Sequence, residues 1–364
     1  MNILIYVGHP AQYHFFKNAI SILKDQGHKI VLLMKTKDVL EELIQEDGHD
    51  YINIQPKSRK NNPISIFIAS VIRTYKVVKL VKKHHINILL GTDASIAQAG
   101  FLTKKHAITA LEDDYDVISK LAKLTYPYTS SILVPSVCSV GKWELKKVAY
   151  EGYMKLAYLH PNRFLPNITI KKKYISEDKY CILRLAGLTA YHDAGKKGLN
   201  ITLVNEIIKN ITDKGFRVYI SAEEELDERF AGYQLQIKHK DIHHVLSYAS
   251  LLISDSQSMS VEAAMLGVPS IRFSDFTGRI SVLEELEQKY HLTFGVRTCD
   301  PEKLLRLTDE ILSDPKSAKL FQSNRSRMLV DKIDVTAFLV WFIENYPDSV
   351  TIIKKTSWFQ LKFK

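Results

Sequence analysis

Residues 251–273, LLISDSQSMSVEAAMLGVPSIRF, constrain the fold more than any other stretch. Leu251, Leu252 and Ile253 make a short apolar run that ends in Ser254-Asp255, the pattern of a strand buried on both faces of a parallel sheet. Ser256, Gln257, Ser258, Met259 and Ser260 follow, all small or flexible enough for backbone to approach a ligand. Val261 to Leu266 reads as a helix, Gly267 suits its C-terminal cap, and Val268-Pro269-Ser270-Ile271 begins the next strand. A strand that feeds a helix through a Ser-rich turn leaves several backbone N–H groups aimed above the turn. Those amides and the helix dipole favour an anion, most often a phosphate. Glu262, one turn in, is placed to accept hydrogen bonds from a vicinal diol such as a ribose. Ser258 or Ser260 could equally cap a helix in an ordinary α/β unit, and the local pattern leaves both readings open.

The spacing Asp-Ser-x-Ser-x-Ser-x-Glu-Ala-Ala, followed by Gly-x-Pro-x-Ile, resembles the nucleotide-sugar motif in the C-terminal domain of GT-B glycosyltransferases. It is also similar to the matching segment of the non-hydrolysing UDP-N-acetylglucosamine 2-epimerases. The resemblance implies that the turn, Gln257 with Ser258, Met259 and Ser260, meets a diphosphate and that Glu262 holds the ribose. The segment is shared by many sugar-nucleotide enzymes, so it names a ligand class rather than a reaction.

The chain opens in the same grammar. Ile3 to Val7 is an apolar strand broken by Gly8-His9-Pro10, a helix runs to Lys24, and a second strand covers Ile30 to Met34. This is the first crossover of a parallel sheet. Ligands bind beyond the carboxyl ends of such strands, so His9, Gln12 and His14 are expected there, with His the natural base near neutral pH. Ile86 to Leu90 and Ala107 to Leu111 are further strands. They end at Gly91-Thr92-Asp93 and Glu112-Asp113-Asp114 and bring Asp93 and Glu112 to the same rim. Either carboxylate could instead cap a helix or pair with Lys120 or Lys123. The opening GHPAQYHFFKNAI is similar to the domain-of-unknown-function 354 family, itself GT-B-like. Gly91-Thr92-Asp93, EGYMKLAYLHP and RLAGLTAYHDAGKKGL also match that family. GTDAS and ALEDD further resemble the epimerase pattern whose carboxylates act on the sugar. The acid is displaced by one position at Asp93, and no His precedes Glu112 where the epimerases have one.

These features predict an α/β chain of GT-B-like architecture, two Rossmann-like domains whose parallel sheets face a central cleft. The first spans 1–160 and a polar, Pro-containing linker 161–178. The second, nucleotide-sugar-binding domain spans 179–335, and a final apolar helix and basic-aromatic tail, 336–364, cross back to the first. The tail reads as disordered, as a packing strand or as a membrane anchor. Ser131 to Pro135 is expected to be the last strand of the first domain, and Gln234 to Ile237 a weak strand of the second. Gly195, Lys196 and a following helix start form a phosphate-binding pattern, so Arg184, His192 and Lys196 could face the diphosphate or equally belong to a solvated loop. The spacing is not that of a Walker loop, and there is no Asp-x-Asp triplet. Lys and Arg contacts to phosphate would reduce the need for a metal, so neither metal nor cofactor is expected.

Composition narrows the class. Fifty Lys and Arg against forty Asp and Glu give a net charge of +10, which suits an anionic ligand or an anionic membrane face. The cations are dispersed and no recognition motif appears, so a nucleic-acid partner is not expected. Cys138, Cys181 and Cys299 are too scattered to ligate a metal and fit a reduced cytoplasmic compartment. MNILIYVGHP reads as a strand, not a signal peptide. Pro63 to Lys83 interleaves lysines with apolar residues. It is a crossover helix on the sheet or an interfacial helix that brings the protein peripherally to the inner face of an anionic membrane. The expected activity is sugar transfer from a nucleoside diphosphate sugar, UDP-linked, to a surface-polysaccharide or glycolipid acceptor. His14, or His9, would be the base, and the anomeric carbon would be inverted. The alternatives are an epimerase or hydrolase of the same sugar nucleotide using Asp93, Glu112 and His192, and a non-catalytic scaffold in polysaccharide assembly.

Overall fold

The computed structural model describes residues 1–56, 63–185, 198–222 and 226–364, with side chains from Ile68 onward in the helix that opens at Pro63. His192 and Lys196 therefore lie outside the described residues. The chain divides into two compact units, Met1–Arg163 with Lys332–Lys364, and Phe164–Asp331.

In the first unit β1 (Asn2–Val7), α1 (Pro10–Asp25), β2 (Lys29–Lys35), α2 (Leu40–Glu46), β3 (Ile52–Gln55), α3 (Pro63–Lys83) and β4 (Ile88–Gly91) alternate. So do α4 (Ala94–Thr103), β5 (His106–Ala110), α5 (Ser119–Thr125), β6 (Ser131–Pro135), β7 (Lys147–Tyr150) and α6 (Leu156–Leu159). The seven strands pair in the order β3-β2-β1-β4-β5-β6-β7, all parallel. The fully buried Ile3, Leu4, Ile5 and Val7 suit β1 to the interior of the sheet, with Ile3 opposite both Ile30 and Ile88. Strand β7 is an addition to the expected set. KVAY is too short to read alone, and it is a strand because β6 supplies its ladder, Leu133 opposite Val148.

In the second unit α7 (Ile168–Tyr174), β8 (Tyr180–Leu185), α8 (Ile201–Thr212), β9 (Arg217–Ala222), α9 (Ile242–Leu246), β10 (Leu251–Ser254) and α10 (Gln257–Leu266) come first. Then follow β11 (Ser270–Phe273), α11 (Ser281–Gln288), β12 (Thr293–Val296), α12 (Pro301–Ser313) and α13 (Ser317–Asp331). Their parallel order is β12-β11-β10-β8-β9. Cys181, Leu183, Ile253, Ile271 and Val296 pack with Val204, Ile207 and Ile211 of α8 as one core. The segment expected as a linker carries α7, which is tied into this unit from Phe164 on. Asn167 N–H donates to His244 Nδ1 at 3.1 Å and Tyr174 Oη to Asp241 at 2.7 Å. The weak strand expected at Gln234–Ile237 reduces to a single bridge between Gln234 and Ile220.

The chain returns to the first unit with α14 (Val335–Glu344) and α15 (Asp348–Lys355). Asp334 caps α14 by accepting from Ala337 N–H at 3.0 Å and pairs with Arg163 at 2.8 Å. The tail is neither disordered nor a strand. Residues 357–363 form a 3₁₀ turn, with Phe359 and Phe363 packed on Trp341 at 4.7 and 5.5 Å. Its Gln360, 3% exposed, accepts from Glu151 N–H at 2.9 Å and donates to Ala149 C=O at 3.1 Å. Those are backbone groups beside edge strand β7, so the tail blunts an edge that would otherwise stand open.

Candidate functional site

Both sheets contain a point where the strand order reverses, and ligands of open α/β sheets bind in the crevice at the carboxyl ends of the strands there. In the second unit that point lies between β8 and β10, where Arg184 stands opposite Ser254. Arg184 Nη1 donates to Ser221 Oγ on β9 at 2.8 Å. Ser254 Oγ accepts the Ser256 N–H at 2.8 Å and closes the turn early. The helix therefore starts at Gln257, four residues before the expected Val261, with Ser256 in extended geometry as its N-cap and no side-chain capping bond. This corrects which amides point outward. Gln257, Ser258 and Met259 fill the first turn, where helical geometry offers their N–H groups no acceptor. Ser260 lies past it, fully buried, with its hydroxyl donated to Ser256 C=O at 3.2 Å. Met259 is buried too, so its contribution to a ligand is its backbone.

Glu262 follows Ser258 by four residues and shares its helix face. Its Oε1 lies 3.4 Å from Nε2 of His243, a 5%-exposed ring on α9 whose edge faces Phe164. Gln257 is engaged from the sheet, with Oε1 3.4 Å from Nη1 of Arg272. Arg272 is fully buried in β11 and held by Glu287 at 2.9 Å and Glu284 at 3.8 Å. Burial lowers its pKa from the ordinary arginine value, and the two glutamates oppose that shift. Neither His243 nor Arg272 stands out in the sequence as a site residue. A lone Arg in the apolar strand Ser-Ile-Arg-Phe was the available signal for the second.

In the first unit the order reverses between β1 and β4. Gln12 bridges their ends, accepting from Gly8 N–H at 2.8 Å and donating to Thr92 Oγ1 at 2.5 Å. Gly91 lets the backbones come this close, since a Cβ there would lie 3.0 Å from Tyr6 C=O. His9 is exposed at the N-cap of α1, where Nδ1 accepts the Ala11 N–H at 3.2 Å. The neutral ring that caps in this way carries its proton on Nε2. His14 lies further along α1, 8% exposed, its ring stacked on Tyr158 at 5.1 Å. The structure thus places His9 and Gln12 at the reversal and His14 against α6.

Both rim carboxylates are engaged locally. Asp93 caps α4, accepting from Ser95 N–H at 2.9 Å and Ser95 Oγ at 2.7 Å, and its other oxygen lies 3.4 Å from Arg73. Glu112 accepts Met154 N–H at 2.8 Å and pairs with Lys155; neither side chain is more than 11% exposed. The partners are Arg73 and Lys155, not the Lys120 and Lys123 that lay near in sequence. Among the described residues, no three His, Cys, Asp or Glu side chains gather as metal ligands would.

A family model described as "Protein of unknown function (DUF354)" matches residues 1–281. No match was found among curated proteins. Among solved structures, the chain is similar to Staphylococcus aureus MnaA in a co-structure with UDP. The TM-score is 0.68 at 13% identity, over 96% of this chain and 98% of that one. It is similar to the Neisseria meningitidis UDP-GlcNAc 2-epimerase bound to UDP-GlcNAc, with a TM-score of 0.66 at 14% identity over 90% and 98%. It is also similar to SsfS6, a glycosyltransferase of Streptomyces sp. SF2575, with a TM-score of 0.57 at 11% identity over 95% and 100%. At these identities the likeness establishes the GT-B-like fold.

Proposed function

We propose, starting from the fact that the chain belongs to the DUF354 family, that it is a GT-B-type glycosyltransferase. It moves a sugar from a nucleoside diphosphate sugar, UDP-linked, to a polysaccharide or glycolipid acceptor. One observation carries this reading: an uncapped helix start at the strand-order reversal of the second sheet, with Glu262 on the face of Ser258. The first-turn amides of Gln257, Ser258 and Met259 receive the diphosphate, and Glu262 receives the ribose diol, steadied by His243. Two solved relatives are named in complex with UDP or UDP-GlcNAc, which supports a uridine nucleotide.

His14 takes the proton from the acceptor hydroxyl, whose oxygen bonds to the anomeric carbon as the bond from that carbon to the diphosphate oxygen breaks. His9 is the second candidate for that base. A single displacement inverts the anomeric carbon. Charge develops on the departing diphosphate, and fixed amide dipoles with Arg184 meet it, so the step proceeds without a metal. Lys196 and His192 join this group by their place in the sequence.

An epimerase or hydrolase of the same sugar nucleotide is the second reading, favoured by the epimerases among the solved relatives. It requires Asp93 and Glu112 to exchange protons, and each is committed to a cap or a buried ion pair. The transferase reading asks nothing of them. A scaffold that keeps the fold but turns nothing over is the third.

The test is a thermal-shift screen of the full chain against UDP, GDP, CDP, ADP and their sugars, with Glu262→Ala alongside. A ligand at about a hundred times its Kd adds roughly 2.7 kcal/mol, a rise of several degrees. A shift with uridine nucleotides that is absent in Glu262→Ala is expected. A flat screen of the folded protein removes the donor site, and with it this function. His14→Ala should then abolish transfer, whereas the epimerase reading places the loss in Asp93→Asn and Glu112→Gln.

A further inference from the structure

The outer face of α3 departs from the usual surface helix. Its inner face buries Val77 and Val81 in the core, as a crossover helix should. The opposite stripe is apolar where a surface helix is normally polar: Ile68, Val71, Ile72 and Tyr75 are 48–59% exposed. One turn further on the same stripe becomes basic. The Lys79 ammonium sits 4.6 Å over the Tyr75 ring, and Lys82 and Lys83 follow, all exposed.

The neighbouring helices extend this face. Thr74 Oγ1 donates to Gln98 on α4, and Gln98 Nε2 to Leu124 C=O near the end of α5. Phe101 and Leu102 at the end of α4 are 62% and 64% exposed. Between the ends of α3 and α4 lies an open hollow of about 530 Å³ whose walls include Lys82, His85, Leu102, Lys104 and Lys105. The exposed cations Lys79, Lys82, Lys83, Lys104 and Lys105 lie along this face. From Lys57 to Leu111 the sequence has ten Lys and Arg against one carboxylate, Asp93, so this stretch holds nine of the ten excess positive charges of the chain.

We propose that the α3–α4 face docks on an anionic lipid bilayer. No helix among the described residues is long and apolar enough to cross a membrane, so the contact is interfacial. The apolar stripe enters the headgroup–acyl boundary, while Lys79, Lys82, Lys83 and the basic hollow receive lipid phosphates. A second copy is a poor occupant, because a symmetric contact would press two such basic faces together. A soluble anion leaves Ile68, Ile72 and Tyr75 with nothing to cover them.

The full chain is mixed with vesicles of pure phosphatidylcholine, or with about a third phosphatidylglycerol, and the bound fraction is read by flotation. Binding to the anionic vesicles alone is expected. Lys79→Gln/Lys82→Gln/Lys83→Gln should weaken it on the order of a hundredfold, at about fivefold per lysine. Ile72→Ser/Tyr75→Ser leaves every charge in place and should weaken it about tenfold or more. Both sets sit on exposed positions and should keep the parent melting temperature. Three results overturn the proposal: no binding to anionic vesicles, undiminished binding in Ile72→Ser/Tyr75→Ser together with equal capture by heparin, or a dimer that these same substitutions dissolve.

Discussion

Replacing Lys155 by Met tests whether Glu112 is held for stability or for chemistry. The two side chains are 8% and 11% exposed, so their ion pair belongs to the buried class. Glu112 also accepts the Met154 N–H at 2.8 Å, which fixes its carboxylate in place when the ammonium is gone. An exposed pair would be worth about 0–1 kcal/mol. Breaking a buried pair from one side costs about 3–5 kcal/mol, because the remaining charge stays desolvated without its counter-ion. For a unit of about 200 residues this lowers Tm by roughly 6–20 °C. Trp143, Trp341 and Trp358 all lie in the first unit, so tryptophan fluorescence on heating or in urea reports that unit selectively. Glu112→Gln alone should destabilise comparably by stranding Lys155. The double variant should recover at least half of the loss, since removing both charges removes the desolvation they required. A cost below about 1 kcal/mol for Lys155→Met, or strictly additive losses in the double variant, would refute the reasoning. Glu112→Gln that stabilises the protein while removing turnover would instead mark a carboxylate kept for chemistry at the expense of stability, as the epimerase reading needs.

Asp93→Ala should cost about 1–3 kcal/mol, from the lost cap on α4 and the lost partner of Arg73, and Asp93→Asn should restore most of it because an amide oxygen still caps. A turnover defect in Asp93→Asn without a stability defect would assign the charge itself to catalysis. Burial pushes the Cys138 and Cys181 thiols far above their ordinary range, and Cys299 is exposed. A thiol reagent at pH 8 should therefore label one cysteine per native chain and all three after denaturation; fast native labelling of a second would contradict the packing around β6 or β8.

Much of the architecture is readable in the chain itself, because it rests on local chemistry. Runs such as Ile3–Val7 and Leu251–Ile253, bounded by turn residues, carry the pattern of strands buried on both faces, and helices between them favour parallel pairing. The Ser-rich turn before Glu262 and the loop at His9 fall at strand ends for the same reason. Where those ends meet is decided by strand order, which no local pattern encodes. The two reversals, β1 beside β4 and β8 beside β10, pair residues 85 and 70 positions apart. The start of α10 at Gln257 depends on a single hydroxyl, Ser254 Oγ, closing the turn. Strand β7 exists because β6 offers a ladder, and its edge is quieted by Gln360, two hundred residues away. Above all, the partners of the charged groups are tertiary. Lys155 for Glu112 and Tyr158 beside His14 both come with α6, Arg73 for Asp93 with α3, and His243 for Glu262 with α9. A carboxylate's surroundings, not its position in a motif, determine whether it can trade protons. Burial in three dimensions likewise divides the apolar residues of α3 into a stripe that packs on the sheet and a stripe left facing outward.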